Sequence, residues 1–125
     1  MNGTINADNL TLYGQSWSET NPAERLKLYE QCLSPECVYT DPNVKVTGYE
    51  ALSAYMAKLQ GDVPGVAFVP TDLKLHHGCC LMHWNMVDGG GAVISPGVSY
   101  LQFGADGRLI QMNGFFDLNA SEVKE

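Results

Sequence analysis

Along the first half of the chain, apolar residues recur three and four positions apart; along the second half they alternate. From residue 7 to about 18, Leu10, Tyr13, Gly14 and Trp17 fall on one face of a helix. Asn21-Pro22-Ala23-Glu24 then offers a capping asparagine, a proline at the first helical position and a glutamate at the third. The helix it opens carries Leu26, Tyr29 and Leu33 on one side until Ser34-Pro35 stops it. Residues 37–40 read as a short extended stretch running into the turn Asp41-Pro42-Asn43. Thr47 with Glu50 reads as a second capping box. It predicts a third helix to about residue 60, with Leu52, Tyr55, Met56 and Leu59 on its apolar face and Gly61 at its end.

Past Val63-Pro64-Gly65 the period changes. Residues 66–77, 79–87, 92–103 and 108–118 read as strands, with Asp88-Gly89-Gly90-Gly91 and Ala105-Asp106-Gly107 as hairpin turns between the last three. Three N-terminal helices followed by a four-strand meander is an α+β order. The expectation is a single domain over residues 1–125, with its core at about 8–118.

Composition narrows the function classes. Hydrophobic residues make up 45% of the 125 positions and charged residues 17%, which marks a globular chain rather than a disordered one. Fourteen acids against seven scattered bases give a net charge of −7, so there is no basic stripe to hold phosphates, and nucleic-acid binding is not expected. The opening MNGTINADNL lacks the basic and long apolar segments of a secretion signal, and no apolar run is long enough to span a bilayer. No membrane association is expected, and the cytoplasm is the default compartment. Cys32, Cys37, Cys79 and Cys80 show neither a CxxC pair nor metal-type spacing to histidine, so free thiols are expected. Adjacent His76 and His77 would point to opposite faces of a strand, and His83 lies opposite Trp84. No metal and no other cofactor is expected.

Taken together, several features resemble the ketosteroid isomerase-like and SnoaL-like polyketide-cyclase superfamily, whose fold is that of nuclear transport factor 2. They are Tyr13 and Trp17 on a first helix, Tyr29 on a second, and Val38-Tyr39-Thr40-Asp41-Pro42. Gly48-Tyr49-Glu50 opens a third helix, and a meander runs through Phe103-Gly104-Ala105-Asp106-Gly107-Arg108. The resemblance spans about residues 8–118. It implies a cone-shaped, curved antiparallel sheet wrapped by three N-terminal helices (an α+β barrel) around an apolar pocket, and a homodimer formed through the outer sheet face. In the isomerase branch the position of Tyr13 donates to the substrate oxygen, that of Tyr29 supports it, and that of Asp41 is the general base. Ser99 stands where that branch carries a second acid. The limonene-epoxide hydrolases share the fold but need an Asp-Arg-Asp set. Here Gly114 occupies the last-strand position and Arg108 sits beside a turn, so that activity is disfavoured. Asp117 does not share the inward parity of Met112, Gly114 and Phe116, where the cyclases place an acid.

Proton transfer beside a carbonyl needs a base at the carbon and a donor at the oxygen. Asp41 suits the first role, because an apolar pocket raises a carboxylate's proton affinity; Tyr13 suits the second, because a phenol keeps its proton at neutral pH. The Ser99 hydroxyl donates without any pKa shift but polarises less than an acid, which points toward a more reactive substrate than a steroid or toward a binding role. Trp17, Tyr29, Tyr55, Met56, Met82, Trp84, Met86, Leu101, Met112, Gly114 and Phe116 are the expected lining. An aromatic and methionine wall suits a flat hydrophobic ligand. The expected function is therefore binding of a small hydrophobic carbonyl compound, with isomerase or polyketide-cyclase chemistry at Asp41, Tyr13 and Ser99. The alternative is a non-catalytic module that binds a ligand or a protein. Cys79, Leu81, Asn85, Val98 and Tyr100 make a mixed outer sheet face, the candidate dimer contact.

Overall fold

A computed structural model describes residues 6–117. The elements run α1 (Ala7–Ser16), α2 (Pro22–Cys32), β1 (Leu33–Asp41), β2 (Val44–Thr47), α3 (Tyr49–Asp62), β3 (Ala67–His76), β4 (Cys79–Val87), β5 (Val93–Phe103) and β6 (Leu109–Phe115). The six strands form one sheet in the order β2-β1-β6-β5-β4-β3. The architecture is the expected α+β cone, a curved and unclosed sheet with helices on its inner side.

The first two helices begin where their caps direct. The Asn6 side chain accepts from the Asp8 amide at 3.1 Å, and that of Asn21 accepts from the amides of Ala23 and Glu24 at 2.9 and 3.3 Å. Glu24 does not complete a box, because the Asn21 amide donates to Glu19 instead, at 3.0 Å. The Thr47–Glu50 box does not form at all. Thr47 ends β2, paired with Val38, and α3 is capped by Gly48 at φ 85° with no side-chain bond. The Gly48 amide donates to the Cys37 carbonyl at 2.8 Å, so the ladder holds the chain extended up to the helix, and the sharp exit takes a left-handed backbone that glycine adopts without penalty. The helix passes Gly61 and ends at Asp62.

The sheet departs from the predicted meander at one edge. β1 starts where α2 stops and includes Ser34 and Pro35, and β2 folds back on it across the Asp41-Pro42-Asn43 turn. β1 pairs with β6 in parallel, so the sheet is mixed rather than wholly antiparallel. The register of that pair shifts between Leu33 and Val38. Pro35 lies inside this irregularity, where a missing amide breaks no ladder bond. His77 is not in a strand: it sits at φ 46° in the β3–β4 turn beside Gly78. The final predicted position, residue 118, lies outside the described residues.

The core is packed between α2, α3 and the sheet, where Tyr29, Leu33, Leu52, Met56, Phe103, Leu109 and Met112 have at most 1% of their surface exposed. α1 is tied to the far hairpin by Asn9, whose side chain donates to the Gly107 carbonyl at 2.7 Å. None of the four cysteines is paired, and Cys80 is buried while its neighbour Cys79 is half-exposed on the other face. That outer face also leaves Leu81, Tyr100 and Phe115 open to solvent. Among the described residues no helix is long and apolar enough to cross a membrane.

Candidate functional site

Between α1, α3 and the inner face of the sheet lies a cavity of about 610 Å³, within the usual range for small-molecule sites. Its polar centre is Asp41, the last residue of β1. The Asp41-Pro42-Asn43 turn folds back so that Oδ1 accepts from the amides of Asn43 and Val44 at 2.8 and 3.1 Å. Oδ2 accepts from two phenols, Tyr39 at 2.7 Å and Tyr55 at 2.6 Å. Tyr39 reaches it because residues two apart on a strand share a face, and Tyr55 comes down from α3. A carboxylate offers about four acceptor positions, and here all four are taken.

Four rings cluster around this centre at tilted and edge-on angles. Trp17, just past the end of α1, lies 5.3 Å from Tyr39, 6.2 Å from Tyr55 and 5.4 Å from Phe68 between ring centroids. On the opposite wall Phe68 meets the Trp84 ring edge-on at 5.0 Å. The sheet floor beneath has a gap. Ser99 on β5 pairs with Gly114 on β6, and a side chain at Gly114 would lie 3.6 Å from Asp41 Cβ. Ser99, bare backbone and Asp41 thus form one row across three strands, with about 4.8 Å between neighbours.

One hydroxyl in the cavity wall is backed by an indole: the Ser99 oxygen accepts from Trp84 Nε1 at 2.9 Å. An indole nitrogen only donates, so the serine keeps its own proton to give. The Tyr13 ring meets that of Trp17 edge-on at 6.3 Å.

Burial pushes the phenols of Tyr13, Tyr29, Tyr39 and Tyr55 well above the ordinary value of 10.0. For Tyr39 and Tyr55 the Asp41 carboxylate adds to the same effect. All four therefore stay protonated donors. A phenol raised in the folded state contributes its full stabilisation below its unfolded value, and that contribution is lost as pH climbs above it. The chain is thus expected to unfold steeply above about pH 10. Tyrosinate absorbance should grow in step with the loss of near-ultraviolet circular dichroism. Ionisation of these four phenols in a still-folded chain would contradict their burial.

Of the residues expected at the site, Asp41, Tyr13, Ser99, Trp17, Tyr55, Met82, Trp84, Met86, Leu101, Gly114 and Phe116 all border the cavity. Tyr29, Met56 and Met112 do not: they are fully buried in the core, and the Tyr29 hydroxyl donates to Met56 Sδ at 2.9 Å. Tyr29 therefore does not support Tyr13 through a hydrogen bond. Tyr39, Phe68 and Leu59 line the cavity without having been expected there, and so does Asp117, for which strand parity predicts the opposite face: β6 ends at Phe115, so alternation no longer governs residue 117. Tyr39 was detectable, since it shares the strand parity of Asp41. Arg108 is held away at the β5–β6 turn by Asp106 at 2.8 Å and the Glu30 carbonyl at 3.4 Å.

A cone of this kind, with a polar centre at the end of its first strand, is the frame of the nuclear-transport-factor-2-like class. The SnoaL-like domain family matches residues 15–112, and the chain belongs to it. No curated protein matches the chain by sequence. Among solved structures it is similar to a proposed isomerase of the SnoaL-like family from Agrobacterium tumefaciens, at a TM-score of 0.81 and 21% identity, over 90% of this chain and 97% of that one. A proposed SnoaL-like polyketide cyclase from Jannaschia sp. superposes with a TM-score of 0.70 and 19% identity, over 94% and 90% of the two chains. A protein of ketosteroid isomerase-like fold from Catenulispora acidiphila, solved in complex with trimethylamine, gives 0.70 and 16% over 96% and 91%. At these identities the likeness is one of fold.

Proposed function

We propose that the protein binds a small, flat, hydrophobic carbonyl compound in this cavity and moves a proton on the carbon beside the carbonyl. The observation that carries the reading is the row Ser99–Gly114–Asp41, with a base at one end, a donor at the other and bare backbone between. A ligand lying over Gly114 meets both ends, with Tyr13 facing the same space. Asp41 takes the proton from carbon, the enolate oxygen is held by Ser99 and Tyr13, and the proton returns from Asp41 to carbon, so the cycle consumes nothing. Because all four acceptor positions are filled, one bond must open first. Tyr55 is the one to yield: it reaches down from α3 and is half-exposed, whereas Tyr39 is fixed in β1 and both amides in the turn. The ligand is neutral or cationic rather than an acid. Asp41 and Asp117 line the cavity, and no Lys, Arg or His does among the described residues.

The test uses 2-tetralone in heavy water, with deuterium uptake at the carbons beside its carbonyl read by mass spectrometry. The wild type should accelerate uptake, and Asp41→Asn should lower the rate by about a hundredfold or more while tetralone still quenches tryptophan fluorescence. Tyr55→Phe should act oppositely, raising the exchange rate about tenfold by removing one bond to the carboxylate. Equal uptake in the wild type and Asp41→Asn removes the base role. The saturated carboxylate favours one second reading, a binding module in which Asp41 only fixes Tyr39 and Tyr55. Binding of tetralone with no accelerated exchange is its signature.

A further inference from the structure

Trp84 stands on β4 directly opposite Gly97 on β5. A Cβ built at Gly97 would lie 2.2 Å from Trp84 Cη2, 2.3 Å from Cζ2 and 2.7 Å from Cζ3. The benzo edge of the indole therefore occupies the space where any other residue would place its first carbon. Phe68, from β3, holds the ring by an edge contact with an interplanar angle of 87°. With the ring laid across β5 in this way, its N–H reaches Ser99, two residues along the same strand, at 2.9 Å.

We propose that Trp84, seated on the bare backbone of Gly97, is a positioning residue that fixes the Ser99 hydroxyl as an oxygen donor into the cavity. This rests on the reading of the cavity given above and assigns roles to two residues that do not themselves take part in the proton transfer. The chemistry follows from what each group can give. An indole N–H has no acceptor face, so the serine oxygen must be the acceptor and one of its lone pairs is committed. Among the described residues the Ser99 hydroxyl makes no hydrogen bond as donor, and its proton is left for a ligand. A hydroxyl that accepts a bond also donates a stronger one, because the chain of two bonds polarises cooperatively. The indole thus compensates in part for a serine standing where a more acidic group would polarise better. The simpler account is that a buried indole needs some acceptor and serine happens to supply it. The two accounts differ in whether the pair affects a bound anion.

The probe is 4-nitrophenol, whose phenol and phenolate forms absorb at different wavelengths, so the bound ratio at fixed pH reports how well the site donates to an oxyanion. Ser99→Ala should shift that ratio about tenfold toward the neutral phenol. Trp84→Phe, which keeps a ring over Gly97 but loses the N–H, should shift it in the same direction by a similar factor. The double variant should shift it no further, since the two act as one unit, and Ser99→Thr should restore the wild-type ratio. An unchanged ratio in Trp84→Phe, or in Ser99→Ala, overturns the proposal while leaving the cavity a binding site. Failure of the wild-type protein to bind 4-nitrophenol in equilibrium dialysis at a pH where the probe is neutral overturns the cavity reading and this inference with it. A measurement on the unliganded chain covers the case in which Trp84→Phe does not fold. The Trp84 indole N–H should exchange with solvent several-fold faster in Ser99→Ala than in wild type by NMR, while that of Trp17 is unaffected. Equal exchange at Trp84 would mean that the bond does not hold the ring and serine together.

Discussion

Replacing Arg25 by leucine should destabilise the fold by about 3 kcal/mol, read from urea melts, and lower the midpoint of thermal unfolding by roughly 10 °C. Arg25 sits in α2 with 1% of its surface exposed, and among the described residues its guanidinium bonds to no carboxylate. Neutral acceptors surround it instead. Nε and Nη2 donate to the Glu19 carbonyl at 3.1 and 2.7 Å, Nη1 to the Ser53 carbonyl and hydroxyl at 3.2 and 2.7 Å, and Nη2 to Gln60 Oε1 at 2.6 Å. One side chain thus joins the α1–α2 connection to two turns of α3, and α3 carries Tyr55 down to the cavity. Leucine would fill much of the volume but leave Gln60 and Ser53 with buried oxygens to satisfy. Lysine should rescue little, because an ammonium cannot form a planar fork of five bonds. A melting point within two degrees of wild type for Arg25→Leu would show that the clasp contributes nothing.

Gly114→Val should abolish most ligand binding while leaving the fold nearly intact. Valine suits a strand, and its Cβ would sit 3.4 Å from the Tyr39 hydroxyl and 3.6 Å from Asp41 Cβ, close to ordinary contact. Its methyl groups, however, would stand in the gap between Ser99 and Asp41, where the ligand is proposed to lie. Overpacking of about 1–3 kcal/mol corresponds to a loss of roughly 5- to 150-fold in 2-tetralone affinity. Gly114→Ala adds a single carbon and should lose much less. Wild-type tetralone binding by the valine variant would place the ligand somewhere other than over this row.

Much of the architecture can be read from local signals, and the exceptions share a cause. Tyr13 and Trp17 follow from helical spacing, Asn21 from its position before Pro22, and the last hairpins from their glycines. β2 and the first residues of β1 could not be found this way. They are held extended by each other and by β6, which lies far along the chain. The same long-range pairing defeats the Thr47–Glu50 cap, a sound local signal on a residue already committed to a ladder with Val38. At the site, alternation tells which side chains face inward but not whether the space before them is filled. Tyr29, Met56 and Met112 face inward where α2 and α3 close over the sheet, and they became core. Met82, Trp84 and Leu101 face inward where the space stays open. The saturation of Asp41 depends on Tyr55 arriving from another element, which no spacing along β1 could announce.

The side-by-side pairing of β1 with β6, the first and last of the described strands, has a consequence for how the molecule is made. β6 is the seam between the helical half and the hairpin half, because β1 finds its inner neighbour only there. A chain still leaving the ribosome can form its helices and the hairpins of β3, β4 and β5, but residues 33–47 wait, with one edge unpaired, until residue 115 has emerged. The carboxylate, carried at the end of β1, and the serine, carried on β5, are brought into one row by β6, which is made after both.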